Sequence, residues 1–439
     1  MTRATSHVEH LPSGRPVVVE ESHGLPLVAF AVAFETGSYF DPVGKEGLFR
    51  FVGRMLRRGT KTLDAKALEA AIDRLGAELT VEVSHANMTL HGQVIRRNLE
   101  PFVKLVGDVL AEPAFAPDEL ERLRKKALAE LVEARDNDRT LAQNAFRSAM
   151  FDGHSYGRRS HARTLSAITA DDVRETYRAN ALRENVSFGF AGDIDVATAR
   201  TIAAGWLERL PSARTLPSFA DLRDPEGPRG RSLVIVDKPE RTQTQILVGA
   251  LGTSAHDEDH VPLMVGTAVF GGTFTSRLMR EVRSKRGWSY GASARLNVER
   301  ARHAFTMWTF PAATDAGKCL ALELGLLEKL VTGGVSAKEV AFVKRYLVRS
   351  HAFEIDTPQK RMHQALDTHL LGLPADYHTG YVPKVLATSH DAVNAALARR
   401  IHTKDLGIVV VGTAKEIRDD LEKAIPDLAR VSVVPFDAD

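Results

Sequence analysis

Short runs rich in β-branched and aromatic residues alternate along this chain with longer segments of helical period. GRPVVVEE from Gly14, LPLVAFAVAFETGSYFD after it, NVSFGFAGDID around Gly192, GRSLVIVDK from Gly230, TQTQILVGALGTSAHD and DLGIVVVGTAKE around Gly412 predict buried strands bounded by glycine turns. Between them, TLDAKALEAAIDRLGAEL places Leu63, Ala67, Ala71 and Leu75 near one face of a helix. NLEPFVKLVGDVLAEP and APDELERLRKKALAELVEARDND read as two more helices. The second opens on Pro117 and Asp118 with acidic residues behind them, which complements a helix N-terminus. Residues 314–331 and 336–353 predict matching helices later in the chain.

The series reads twice. Strand, strand with glycine turn, helices and a glycine-ending strand run from Gly14 to Gly192, then again from Gly230 to Gly412. PSARTLPSFADLRDPEGPRG, from Pro211 to Gly230, separates the copies. Its prolines at 211, 217, 225 and 228 exclude helix and inner strand. The expected organisation is therefore an N-terminal domain over 1–210, a linker over 211–230 and a C-terminal domain over 231–439. Strands that precede, interleave with and follow helices imply α+β domains with mixed or antiparallel sheets.

Composition narrows the function. Lys plus Arg is 58 against 56 for Asp plus Glu, a balance that gives no whole-chain drive toward nucleic acid or anionic lipid. One cysteine, Cys319, excludes an intrachain disulfide and any multi-cysteine metal site. It reads as a core residue of GKCLALELGLLEKL. The first residues hold no apolar run of signal-peptide length and no stretch reaches about 18 apolar residues, so neither a leader nor a spanning helix is expected. These features lean to the cytoplasm, although a periplasmic protein that has lost its signal would read the same.

Candidate chemistry lies in GSYFDPVGKEGLFRFVGRMLRRGT, residues 37–60: a glycine-bearing turn, an amphipathic helix, then Arg-Gly-Thr. This stretch resembles the insulinase-like (M16) metallopeptidases, and within them the M16B type, whose matching helix carries His-x-x-Glu-His. There, two histidines at i and i+4 bind zinc and the glutamate activates the bound water. The resemblance runs from about Gly14 to about Gly412 and implies two homologous α/β-roll domains of the M16/LuxS-like metallohydrolase kind, related by internal duplication. At the motif this chain reads Arg50, Phe51, Val52, Gly53, Arg54. Guanidinium has no lone pair for a metal and glycine cannot take a proton from water. The family's third-ligand position matches Glu130, which cannot hold zinc alone. The expectation is no metal and no catalysis in this chain. Arg50, Arg54, Arg57 and Arg58 are either a solvated basic face or a group from which Arg50 or Arg54 pairs with Glu130.

GGTFTSRLMREVRSKRGWSYGASARL, residues 271–296, resembles the second family signature: Gly-Gly, Ser-Arg-Leu, then an arginine seven residues before a tyrosine, here Arg283 and Tyr290. In the family that pair holds peptide substrate beside the zinc of the other domain. Read on residues alone, Arg283 is a basic helix end and Tyr290 a half-buried strand residue. The expected local structure is a bend at Gly271 and Gly272, a helix over 276–286, a cap at Gly287 and a strand beginning at Tyr290. HSYGR, residues 154–158, resembles a further family stretch, with serine for proline.

Other constellations are weaker. His85 and His91 flank a strand, His351, His363 and His369 fall in helices without an i, i+4 pair, and His154 and His161 bracket an arginine-rich turn expected at the surface. Ser276 lacks a nucleophile-elbow pattern, and no phosphate-binding loop is present. The resemblance then implies the non-catalytic subunit of a two-chain peptidase. A partner with intact His-x-x-Glu-His would supply zinc, this chain would supply Arg283 and Tyr290, and the substrate would be a peptide enclosed between them. The readings weighed against it are an inert scaffold or peptide-binding protein and a stand-alone peptidase with other ligands. In isolation the chain could also pair with itself.

Overall fold

The computed structural model describes residues 7–438. They divide into two compact units. The first takes in the chain up to Glu130, Ser160–Asp221 and Ala352–His378; the second takes in Leu131–Arg159, Leu222–His351 and the chain from Thr379 onward.

The first unit is built on strands β1 (His7–His10), β2 (Pro16–Glu21), β3 (Leu27–Phe34), β4 (Glu78–Val83), β5 (Met88–Ile95) and β6 (Val186–Gly192), in the order β1-β2-β6-β3-β5-β4. The second is built on β7 (Arg231–Asp237), β8 (Gln245–Leu251), β9 (Ala292–Leu296), β10 (Ala304–Thr309), β11 (Leu406–Gly412) and β12 (Leu428–Pro435), in the order β12-β7-β11-β8-β10-β9. The β2–β6 and β7–β11 pairs are parallel. The next three pairings, β6–β3, β3–β5, β5–β4 and their counterparts, are antiparallel in both sheets. Five strands thus repeat in order and direction, the signature of a duplicated α+β domain. The sixth differs: β1 comes from before its sheet and runs antiparallel to β2, whereas β12 comes from after its sheet and runs parallel to β7.

Central strands are buried on both faces, which their near-continuous apolar sequences require. In the first unit, Phe30 and Phe190 point to one face, where Phe102 of helix Leu99–Ala111 and Trp206 of helix Val196–Arg209 pack on them; Phe30 and Trp206 lie 5.0 Å apart. Gly92 beside them has no room for a side chain, since a Cβ would stand 2.1 Å from the Phe30 ring. The opposite face is lined by Val18, Ala31, Ala33 and Ala191, and there Met362, Leu366 and Leu370 of helix Pro358–Leu370 pack. The small residues make that close approach: a Cβ at Gly189 would meet Met362 Sδ at 2.3 Å.

The second unit repeats this with the source reversed. Helix Asp138–Met150 lays Ala142, Phe146 and Met150 against Val236, Leu247, Val409 and Val411, and a Cβ at Gly249 would meet the Phe146 ring at 2.5 Å. Each sheet is therefore covered on one face by a helix that the linear sequence places in the other half. The proline-rich segment over 211–230 holds no helix or strand, and one of the three passages from first to second unit, between Asp221 and Leu222, falls inside it. Its Phe219 packs on Tyr39 and Phe40 of the first unit, with ring centroids 5.1 and 4.9 Å away. No helix of the described residues is long and apolar enough to cross a membrane.

Candidate functional site

Two separate sites carry the chemistry, one in each unit. In the first unit, helix Leu48–Met55 begins after Gly47, whose φ of 103° suits glycine. The Asp41 carboxylate accepts hydrogen bonds from the Gly47 and Phe49 amides at 2.8 Å each, capping the helix start. Leu48, Phe49, Phe51, Val52 and Met55 are buried, which leaves Arg50 and Arg54 on the remaining face one turn apart. Arg54 Nη2 donates to Glu130 Oε2 at 2.7 Å, and both side chains are about one-quarter to one-third exposed. Glu130 sits near the end of helix Pro117–Ala134, which is tied down by Arg124 donating to the backbone carbonyls of Leu165 and Ile168. Of the two arginines at the ligand positions, then, Arg54 takes the carboxylate. Burial first, and the neighbouring Arg54 charge second, lowers the pKa of Arg50, against the pull of Glu130.

These residues do not fit a zinc ion. Two cations stand where imidazoles would be needed, and the one carboxylate is committed to Arg54. Gly53 adds a steric term: a Cβ there would lie 2.8 Å from Val83 Cγ2 and 3.1 Å from Val81 Cγ1 of β4. The position of the general base is filled by valine. Among the described residues, no group of three or more His, Cys, Asp or Glu is placed to hold a metal.

In the second unit, helix His260–Thr267 widens into a π-type turn over Ala268–Gly272, and a second such turn spans Met279–Ser284. The Gly-Gly pair works through close approach: a Cβ on Gly271 would lie 2.2 Å from the Ala294 amide of β9. The expected regular helix over 276–286 is replaced by the wide turn, which carries Arg283 at its end. Gly287, at φ 68°, closes it through a 3.0 Å bond from its amide to the Arg283 carbonyl. The strand expected to begin at Tyr290 begins at Ala292 instead. The reason is local: Ser289 donates to the Gly291 carbonyl at 2.6 Å and receives the Phe310 amide at 3.0 Å, and this turn holds Tyr290 out of the ladder. Tyr290 is 77% exposed.

Arg283 lies between two aromatic rings. Its guanidinium carbon is 4.3 Å from the Tyr290 centroid and 4.7 Å from that of Phe274, itself 73% exposed. The sequence reading missed Phe274, although an aromatic residue directly after Gly-Gly-Thr in an exposed loop was a visible signal. Stacked this way, the guanidinium is oriented while its edge N–H groups make no hydrogen bond among the described residues.

Residues treated apart in sequence also come together. His91 on β5 and His363 on helix Pro358–Leu370 have ring centroids 5.0 Å apart, in a groove of about 620 Å3 that also presents Glu82 and Asp367. Burial lowers both imidazole pKa values, His363 to about 4, and raises Asp367 to about 6. HSYGR belongs to the second unit. His154 Nδ1 accepts the Tyr156 amide, its Nε2 lies 2.9 Å from the Arg223 carbonyl, and Tyr156 packs on Phe151 and His303. His154 is thus half-buried and structural. Cys319 is fully buried, as expected, and donates to Glu323, a buried carboxyl that the sequence did not single out.

The insulinase (peptidase M16) family profile matches residues 16–162, and the peptidase M16 inactive-domain profile matches residues 167–347. The chain belongs to the M16 family. A protein of Helicobacter pylori named non-peptidase homolog YmxG is 22% identical over 94% of this chain and 95% of its own length. An M16 inactive domain from Pseudomonas fluorescens superposes with a TM-score of 0.85 at 23% identity, over 93% of this chain and 98% of that one. A protease from H. pylori does so with a TM-score of 0.84 at 16% identity, over 93% and 100%. Two M16 domains, one of them matching an inactive type, accord with the duplicated sheets.

Proposed function

We propose that this chain is the non-catalytic, peptide-binding subunit of a two-chain M16-type peptidase. The observation that carries the reading is the Arg54–Glu130 ion pair, which places a cation against the carboxylate that a metal would need. Without ligands, general base or space at Gly53, this chain neither holds zinc nor activates water; a partner with intact His-x-x-Glu-His would bring both. What this chain contributes is the Arg283–Tyr290 couple. The half-buried Arg283 guanidinium offers two parallel donors along its edge to a peptide carbonyl or to the charge that develops on it, and the exposed Tyr290 hydroxyl offers a third. The substrate would be an extended peptide. The name of the H. pylori relative supports the inactive half of this reading.

The test is reconstitution. Purified alone, the chain is expected to contain no stoichiometric zinc and to leave peptides intact. Mixed with a His-x-x-Glu-His homologue from the same cell, it should form a heterodimer that cleaves peptides, and Arg283→Ala should reduce that cleavage strongly. Chelator-sensitive hydrolysis by the lone chain would reject the reading. Complex formation with cleavage indifferent to Arg283 would leave a scaffold instead.

A further inference from the structure

The second unit holds a cavity of about 570 Å3 whose lining includes Val269, Thr273, Ser276, Arg280, Lys338 and Phe342. That is within the range of small-ligand pockets, roughly 300–1,000 Å3. Its charges do not cancel. Arg277, also in the lining, is spent on Glu339 through two 2.8 Å hydrogen bonds, so that pair is neutral. Among the described residues Arg280 pairs only with Glu281, at 3.5 Å, and the Glu281 carboxylate already accepts from Lys285 at 2.7 Å and Arg286 at 3.0 Å. Lys338, on the first turn of helix Ala337–Ser350, makes no ion pair among the described residues. Two cations therefore face the cavity without a matching anion.

A second observation points the same way. Ser276 is 2% exposed, and its hydroxyl has no hydrogen-bond partner among the described residues. A buried hydroxyl left unpaired is costly, and in a cavity wall it offers a donor to a ligand atom. Phe342, 45% exposed, and buried Val343 and Val269 supply an apolar wall alongside.

We propose that this cavity binds a peptide carboxylate with an apolar side chain next to it, the carboxylate between Arg280 and Lys338 with the Ser276 hydroxyl donating, and the side chain against Phe342 and Val343. Arg280 and Arg283 lie three residues apart on the same π-type turn. The inference names the substrate class of the peptide-binding role proposed above and rests on that reading for its purpose, while the binding itself is tested separately.

The probes are a fluorescein-labelled alanine-rich peptide ending in leucine with a free carboxylate, its C-terminal amide, and an amide in which glutamate follows the leucine. Fluorescence anisotropy against the full chain should show at least one carboxylate peptide binding about tenfold more tightly than the plain amide, as a charge-assisted contact gives. The two carboxylate probes tell a peptide terminus from a side chain. Arg280→Ala with Lys338→Ala, both exposed positions, should erase the preference while the unfolding midpoint stays unchanged, and Ser276→Ala should weaken it. Equal binding of all three peptides, no binding of any, or a preference that survives the double substitution overturns the proposal. Arg283→Ala separates the readings. If it leaves every affinity unchanged while the carboxylate preference still needs Arg280 and Lys338, the cavity stands and the Arg283 role fails. If it abolishes binding while the double substitution changes nothing, the reverse holds.

Discussion

Arg54 on helix Leu48–Met55 is hydrogen-bonded to Glu130 on helix Pro117–Ala134 at 2.7 Å, across 76 positions of sequence. A partly exposed pair of this kind is worth little: a double-mutant cycle of Arg54→Ala and Glu130→Ala should give a coupling of about 0.2–1 kcal/mol, shrinking with added salt. A salt-independent coupling well above that range would show the pair to be far better shielded than its exposure implies.

Gly53 is held by packing. Gly53→Ala should lower stability by about 1–3 kcal/mol, the usual range for overpacking, because the new methyl meets Val83 and Val81. Adding Val83→Ala should recover part of the loss. Urea denaturation of the two variants checks this; a Gly53→Ala protein as stable as the parent would show that β4 yields freely. The same clash implies that writing His-x-x-Glu-His back into the helix does not by itself restore a metal site.

Phe274 should matter as much as Tyr290 for holding Arg283. In the reconstituted complex, Phe274→Ala is expected to lower peptide cleavage several-fold by freeing the guanidinium, with Phe274→Leu no better, since an aliphatic side chain offers no ring face. Tyr290→Phe keeps the stack and removes only the hydroxyl donor, so it reads the hydrogen bond alone. Steady-state cleavage rates distinguish the two. A Phe274→Ala protein with unaltered rates would mean that Tyr290 alone fixes the arginine.

Glu323 is fully buried, its Oε2 has no hydrogen-bond partner among the described residues, and burial raises its pKa to about 7. The folded state therefore favours the neutral acid. Its contribution to stability is complete below the unfolded value of about 4.5 and is lost as pH rises through about 7. Glu323→Gln has no such window. The stability difference between variant and parent should move in favour of the variant by about 3 kcal/mol between pH 4 and pH 8. Urea titrations at both pH values measure it, and a difference that does not change with pH would contradict the burial of a charge.

Helix Pro358–Leu370 completes the first unit from the far half of the sequence. Leu366→Ala should cost about 2–5 kcal/mol, because it empties the space over Val18, Ala31 and Gly189. A fragment ending at residue 221 should fail to give a cooperative unfolding transition, and addition of the remaining chain should restore one. A fragment that folds alone would show that the sheet does not need this cover.

Much of the fold is legible in the sequence. The central strands are readable because β-branched runs buried on both faces carry their own signal: LVAFAVAF cannot be left in water. The edge strands β1 and β12 are not, since HVEH and the largely half-exposed β12 have no such pattern. The helical period of residues 358–370 and 138–150 does not state which sheet each covers, and both cross to the unit of the other half. In the site, the regular helix expected over 276–286 is a π-type turn over Met279–Ser284, a widening that no residue pattern of the segment announces.

What the sequence determined by itself is chemical identity at fixed spacing. Arginine, glycine and arginine stand at 50, 53 and 54, where no lone pair and no base can be supplied, and an arginine stands seven residues before a tyrosine at 283 and 290. Those facts hold in any conformation. Only the tertiary structure decided that Arg54, not Arg50, takes Glu130, that Val83 fills the space beside Gly53, that Phe274 completes the stack on Arg283, and that His91 meets His363. Period and turn chemistry act over a dozen residues, whereas these contacts are set by strand order and by helices exchanged between halves, which no local pattern encodes.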